Sequence, residues 1–235
     1  MVVNLFNDDA TKVDWEILTD GRNIDCVVTD PPFGVEYQSR RGKTAEHDRI
    51  NSAIANDASL DDAVPCFLDA INNMAHLFAE ECEMYVFTRW DILPEWVEAV
   101  SRLSVIGFKY KALLVWDKGN LGMGDIDASW GASHEIILYL KKGRRDLNGQ
   151  RSSVLHFDRP SFGSRIHPTE KPASLLEVLI KASTDKGDLV VDPFSGSAST
   201  LIAARSTGRD GVGTELDSKF FELANIRLGQ ESLFG

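Results

Sequence analysis

The sequence predicts an α/β fold: a three-layer, Rossmann-like domain around a seven-stranded, mostly parallel sheet. Short apolar or β-branched runs alternate with stretches whose apolar residues recur every three or four positions, the pattern of parallel strands joined by helices. Two of the runs, Asp25-Cys26-Val27-Val28-Thr29 and Asp188-Leu189-Val190-Val191, break off in Asp-Pro, as buried parallel strands do when they lead into a functional turn.

Strands are expected at Val2 to Phe6, Asp25 to Thr29, Met84 to Thr88, Tyr110 to Trp116, Glu135 to Leu140, Asp188 to Val191 and Gly211 to Thr214. Helices are expected over Leu60 to Phe78, Leu93 to Leu103, Pro172 to Ala182, Thr200 to Arg205 and Ser218 to Leu228. Gln38 to Ala58 and Gly143 to His167 fit neither pattern. Both are polar and carry arginines, and they are expected as exposed loops near the functional edge.

A chain of 235 residues, 43% of them hydrophobic, can bury one sizeable core, so residues 1–235 are read as a single domain. No apolar run is long enough to span a bilayer, and the acidic first residues do not resemble a signal peptide, so no membrane association and a cytoplasmic location are expected. Cys26, Cys66 and Cys82 are too scattered for a disulfide framework or a metal site. The net charge of -11 weighs against a nucleic-acid partner, but its distribution is uneven. Lys141, Lys142, Arg144, Arg145, Arg151, Arg159, Arg165 and Lys171 face only Asp146, Asp158 and Glu170 within one stretch.

Two sites carry chemistry. In Asp192-Pro193-Phe194-Ser195-Gly196-Ser197 a strand enters a turn of small residues and then a helix, which lets the backbone approach a ligand closely. The next strand ends at Glu215, placed to accept hydrogen bonds from ribose hydroxyls. The turn itself carries neither GK[ST] nor GxGxxG, so a nucleoside cofactor without a phosphate chain fits it better than a nucleotide. The other strand ends in Asp30-Pro31-Pro32-Phe33. Methyl transfer to an aromatic amine needs acceptors that hold both N–H groups, because the nitrogen lone pair is delocalised into the ring. The Asp30 carboxylate and the Pro31 carbonyl supply two, and Phe33 can stack on a base turned out of a helix.

These motifs, with His167-Pro168-Thr169-Glu170-Lys171-Pro172 between them, resemble the β-group amino-methyltransferases of DNA. The resemblance implies a permuted motif order, S-adenosylmethionine as cofactor, and DNA as substrate. It implies catalytic roles for Asp30, Pro31, Pro32 and Phe33. Cofactor contacts are implied for Asp9, Ala10, Thr169, Lys171, Asp192, Phe194, Ser195, Gly196, Ser197 and Glu215. The strands Leu114 to Lys118 and His134 to Leu138 also match, and two departures stand out: Ala198 where Gly is usual, and Glu170 where Gln is frequent.

The resemblance also implies adenine N6 rather than cytosine N4 as the target, since Asp at the first tetrad position goes mostly with adenine among such proteins, whereas chemistry alone permits both amines; RNA methylation and a non-catalytic DNA-binding module are the other readings. Carbon-5 methylation would need a nucleophilic cysteine; Pro65-Cys66 is read instead as opening a helix with a buried structural thiol. By resemblance the insert 143–165 recognises the target. Arg144, Arg145, Arg151 and Arg159 there, with Arg40, Arg41 and Lys43 after the tetrad, are the DNA-contact candidates. A second copy of the chain and a restriction endonuclease are candidate partners.

Overall fold

The structure is a computed structural model that describes residues 1–34, 59–119, 130–149, 152–159 and 170–232. Its strands are β1 (Val3–Phe6), β2 (Ile24–Thr29), β3 (Phe78–Thr88), β4 (Lys109–Asp117), β5 (His134–Lys142), β6 (Val154–His156), β7 (Leu189–Asp192) and β8 (Asp210–Thr214). The helices are α1 (Trp15–Leu18), α2 (Leu60–Asn73), α3 (Leu93–Ser101), α4 (Ala173–Ser183), α5 (Ser199–Ser206) and α6 (Ser218–Ser232).

The strands form one sheet in the order β1-β8-β7-β2-β3-β5-β4-β6, in which β5 runs antiparallel to both its neighbours. The central strands β2 and β7 are covered on both faces, which is why they read as unbroken apolar runs rather than alternating ones. On one face Val27, Met84, Val86 and Val191 pack against α2 and α3 through Phe67, Ile71, Trp96 and Val100. On the other, Cys26, Val28, Tyr85 and Val190 pack against α4 and α5 through Leu175, Leu179 and Ala203. Burying that apolar surface on both faces drives assembly of the three layers.

After β2 the chain moves toward β3, and after β7 it moves the other way, toward β8. The carboxyl ends of β2 and β7 therefore flank a topological switch point, where open α/β sheets bind ligands. No helix among the described residues is long and apolar enough to cross a membrane.

Several expectations need correction. The region expected as a loop over 143–167 carries an eighth strand, β6, whose three residues are too few to show a period. Phe78 opens β3 instead of closing a helix, because α2 ends at Asn73 and a single 3-10 turn follows. Pro65 lies inside α2, which begins at Leu60 with Asp61 and Asp62 in its first turn. Cys66 is only half-buried there, whereas Cys26 and Cys82 are buried. The strand expected to begin at Asp188 begins one residue later, because the Asp188 carboxylate instead accepts the Asp185 amide in the preceding turn.

Candidate active site

The parallel strands bring their carboxyl ends to one edge, and the antiparallel β5 brings its amino end there too. Asp30 follows β2, Asp192 closes β7, Glu215 follows β8, Lys118 follows β4, and Glu135 stands near the start of β5. Asp9 and Ala10 follow β1 at the same edge, tied to it by the Asn7 amide, which donates to the Glu215 and Leu216 carbonyls.

At the centre is a buried chain of alternating charges. The Lys171 ammonium donates to Asp30 Oδ2 at 2.7 Å and lies 3.0 Å from Glu135 Oε2. Glu135 Oε1 in turn accepts from Lys118, and Arg159 stands 3.7 Å from that oxygen. Two carboxylates and two ammonium groups balance, so burial is tolerated. Lys171 also lies 5.0 Å from the centre of the Phe87 ring and 5.9 Å from that of Phe33. Burial pushes the Glu135 carboxyl upward, but the ammonium groups of Lys171 and Lys118 prevail and hold it at about 2. Burial draws Lys118 down to about 8, against the attraction of Glu135. Burial also raises the Asp30 carboxyl above its ordinary range, with Lys171 opposing the rise. Asp30 Oδ1 has no hydrogen-bond partner among the described residues.

The second half of the site is the turn after β7. Asp192 Oδ1 accepts the Phe194 amide at 3.1 Å, and burial pushes this carboxyl up to about 7, against hydrogen bonds from Thr200 and Thr29. Ser195 Oγ donates back to the Asp192 carbonyl at 2.9 Å, and Gly196 adopts φ +51°, in the left-handed region. Glu215 Oε2 accepts the Gly196 amide at 2.9 Å and Oε1 the Asp217 amide at 2.9 Å. Gly213 makes this packing feasible, since a Cβ there would overlap Ser195 Oγ and come within 2.8 Å of the Asp192 carbonyl. A turn of small residues beside a mostly buried carboxylate whose oxygens keep unused lone pairs fits a ribose-bearing ligand with no phosphate chain.

The sequence-predicted residues do not all gather here. Lys171, expected near the cofactor, donates to the Asp30 carboxylate. Ser197 is buried, its hydroxyl 3.0 Å from that of Ser199, and Phe194 packs partly buried against the core. Asp9 is held by Thr11 and Lys12, and the Ala10 carbonyl accepts the Trp15 indole N–H at 3.0 Å. Pro31 and Pro32 are buried between Asp30 and the half-buried Phe33. Arg144 and Arg145 follow β5 at the opposite end of the sheet, roughly 26 Å from the site at about 3.3 Å per residue. There Arg145 pairs with Asp185 at 2.8 Å and Asp188 at 3.3 Å, so these two DNA-contact candidates stand away from the Asp30 edge. Thr169, Arg40, Arg41, Lys43 and Arg151 lie outside the described residues.

Sequence reasoning assigns Glu135 and Lys118 no role. Each stands at the end of an apolar run, in His134-Glu135-Ile136 and Val115-Trp116-Asp117-Lys118, a visible signal. Only the antiparallel placement of β5 brings the two together.

Comparison with known proteins gives the family and the fold. Residues 146–226 match the model of the N6/N4 DNA methylase family, described as DNA methylase. The chain is 32% identical over 208 residues to the putative methylase YubD of Escherichia coli, covering 88% of this chain and 83% of that one. It is 40% identical over 242 residues to the type II methyltransferase M.HpaI of Haemophilus parainfluenzae, covering 89% and 69%. The fold matches the crystal structure of an M1.HpyAVI–SAM complex with a TM-score of 0.72 at 22% identity, over 97% of this chain and 99% of that one.

The chain belongs to the N6/N4 DNA methylase family. It is a DNA amino-methyltransferase, and its methyl donor is S-adenosylmethionine.

Proposed function

We propose that the protein methylates the exocyclic N6 of adenine in DNA. The observation that carries this reading is Asp30 at the end of β2, one carboxylate oxygen held by Lys171 and the other left without a partner among the described residues. By resemblance, Asp rather than Ser at this position goes with adenine. S-adenosylmethionine supplies an electrophilic methyl group. Asp30 and the Pro31 carbonyl accept the two N–H groups of the amine and draw the nitrogen lone pair out of the ring plane. Asp30 receives the proton that the nitrogen sheds once methylated, a role suited to a carboxyl raised by burial. Phe33 stacks on the flipped base.

On this reading Glu215 binds the ribose hydroxyls of the cofactor, the turn Asp192 to Ser197 surrounds its remainder, and Asp9 and Ala10 border its adenine. Arg159 contacts the DNA backbone. The single sheet formed by the described strands supports reading residues 1–235 as one methyltransferase domain. A second copy of the chain and a restriction endonuclease are the proposed protein partners.

The test is incubation with tritiated S-adenosylmethionine and mixed-sequence duplex DNA, followed by digestion and chromatography of the nucleosides. Label in N6-methyldeoxyadenosine, lost in Asp30→Ala while that variant still binds the cofactor, is the expected result. Label in N4-methyldeoxycytidine would overturn the choice of base, and full activity of Asp30→Ala would overturn the mechanism.

A further inference from the structure

Lys171 is a buried ammonium with two carboxylate neighbours, and its contact with Asp30 involves only one of that residue's oxygens. Among the described residues the other oxygen, Oδ1, is buried and meets no donor, so it is free to accept from a ligand at the carboxyl end of β2. The Oδ2 oxygen is held by an ammonium that is itself fixed in place. Lys171 donates to it, Glu135 fixes Lys171 from β5, and the Phe87 and Phe33 rings flank the ammonium. Lys118 closes the chain behind Glu135.

We propose that Lys171, braced by Glu135, is a positioning residue that clamps Asp30 Oδ2 and so presents Oδ1 as the acceptor for the amine of the target base. The inference rests on the reading of Asp30 as the amine acceptor. It assigns Lys171 to the methyl acceptor's side of the site rather than to the cofactor. Lys171 stays protonated throughout and takes no part in proton transfer. The proton shed by the amine goes to Oδ1, while Oδ2 keeps its hydrogen bond.

The charged groups facing Asp30 are Lys171 from the segment before α4, Glu135 from β5, Lys118 after β4 and Asp192 from β7. Arg159 faces Glu135. Removing Lys171 leaves Asp30 beside Glu135 and Asp192 without its nearest cation. Removing the Glu135 charge leaves Asp30 beside two cations. The two changes act in opposite directions on the ionisation of Asp30.

The experiment measures kcat against pH on mixed-sequence duplex DNA, with calorimetric cofactor binding alongside, for Asp30→Ala, Lys171→Gln, Lys171→Arg and Glu135→Gln. Lys171→Gln is expected to lower kcat about 100-fold, the scale of a misplaced catalytic group. Cofactor affinity should be nearly unchanged, the acid limb should move to higher pH, and Lys171→Arg should recover part of the rate. The isosteric Glu135→Gln keeps the packing and is expected to move the acid limb to lower pH, so the inference is tested even if Lys171→Gln does not fold. Limbs that stay in place, or move the same way in both variants, overturn the proposal. So does a Lys171→Gln enzyme of normal kcat, or one whose main defect is lost cofactor binding. An active Asp30→Ala sinks the underlying reading; an inactive Asp30→Ala beside a normal Lys171→Gln sinks only the clamp.

Discussion

The Glu215 carboxylate accepts the Gly196 amide at 2.9 Å, so the end of β8 and the turn after β7 form one hydrogen-bonded unit. Glu215→Ala removes both this bond and the proposed ribose acceptor. Cofactor affinity is expected to fall by at least about tenfold, the effect of losing roughly 1.4 kcal/mol, which calorimetry would measure directly. Gly213→Ala should be worse, because the new Cβ overlaps Ser195 Oγ and crowds backbone at the Asp192 carbonyl. A Gly213→Ala protein with wild-type cofactor affinity would count against this packing.

Ala198 occupies a left-handed conformation, φ 59° and ψ 24°, immediately before α5. The conformation costs a non-glycine residue about 1–2 kcal/mol. Its methyl group is fully buried among Leu201, Ile202, Ala224 and Leu228, which returns about 0.8 kcal/mol, and glycine would add about 0.5–1 kcal/mol of backbone entropy cost. The terms nearly cancel, so Ala198→Gly should shift Tm by less than about 2 °C in calorimetry. That balance explains how the chain carries Ala where Gly is usual.

Glu83 is a buried carboxyl on β3 whose two oxygens lack hydrogen-bond partners among the described residues, with Lys141 at 3.8 Å. Burial pushes it up to about 7, against the pull of Lys141 and Arg145. A carboxyl raised on folding contributes its full stability below the unfolded value of 4.5 and loses it as pH rises through about 7. Glu83→Gln is therefore expected to stabilise the protein by about 1–3 kcal/mol at pH 8 and by much less at pH 5. Denaturant unfolding at the two pH values measures the difference.

Arg145 and Arg159 offer a paired test. Arg145 braces the end of the sheet away from the site through Asp185 and Asp188, so Arg145→Ala should lower stability by about 1 kcal/mol and leave DNA affinity unchanged. Arg159→Ala should weaken DNA binding and lower the slope of log affinity against log salt by about 1. Titrations of duplex DNA at several salt concentrations would separate the two, and equal effects would refute the assignment.

Much of the fold is legible in the order of residues alone. Val27-Val28-Thr29 and Val190-Val191 announce themselves because a strand covered on both faces needs apolar residues at every position. The positions of Asp30, Asp192 and Glu215 follow from those strands. Illegible are features that depend on partners remote in the chain. Arg145 looks like its neighbours in a basic stretch until the direction of β5 carries it to the far end of the sheet. Glu170, a departure from the usual Gln, meets Arg227 from α6 at 3.2 Å, a pairing that only the packed fold supplies. Lys171 reads as a cofactor residue because the motif around it suggests one; its bond to Asp30 spans 141 positions of sequence.

The two halves of the site stand on β2 and β7, whose alignment rests on the pairs Cys26↔Val190 and Val27↔Val191. A slip by one residue would displace one half by about 3.3 Å, while an in-line transfer tolerates errors well under 1 Å. Backbone hydrogen bonds allow no intermediate step. The spacing of acceptor and donor is thus quantised by the ladder, and side-chain packing has only the finer adjustment left to make once that register is set.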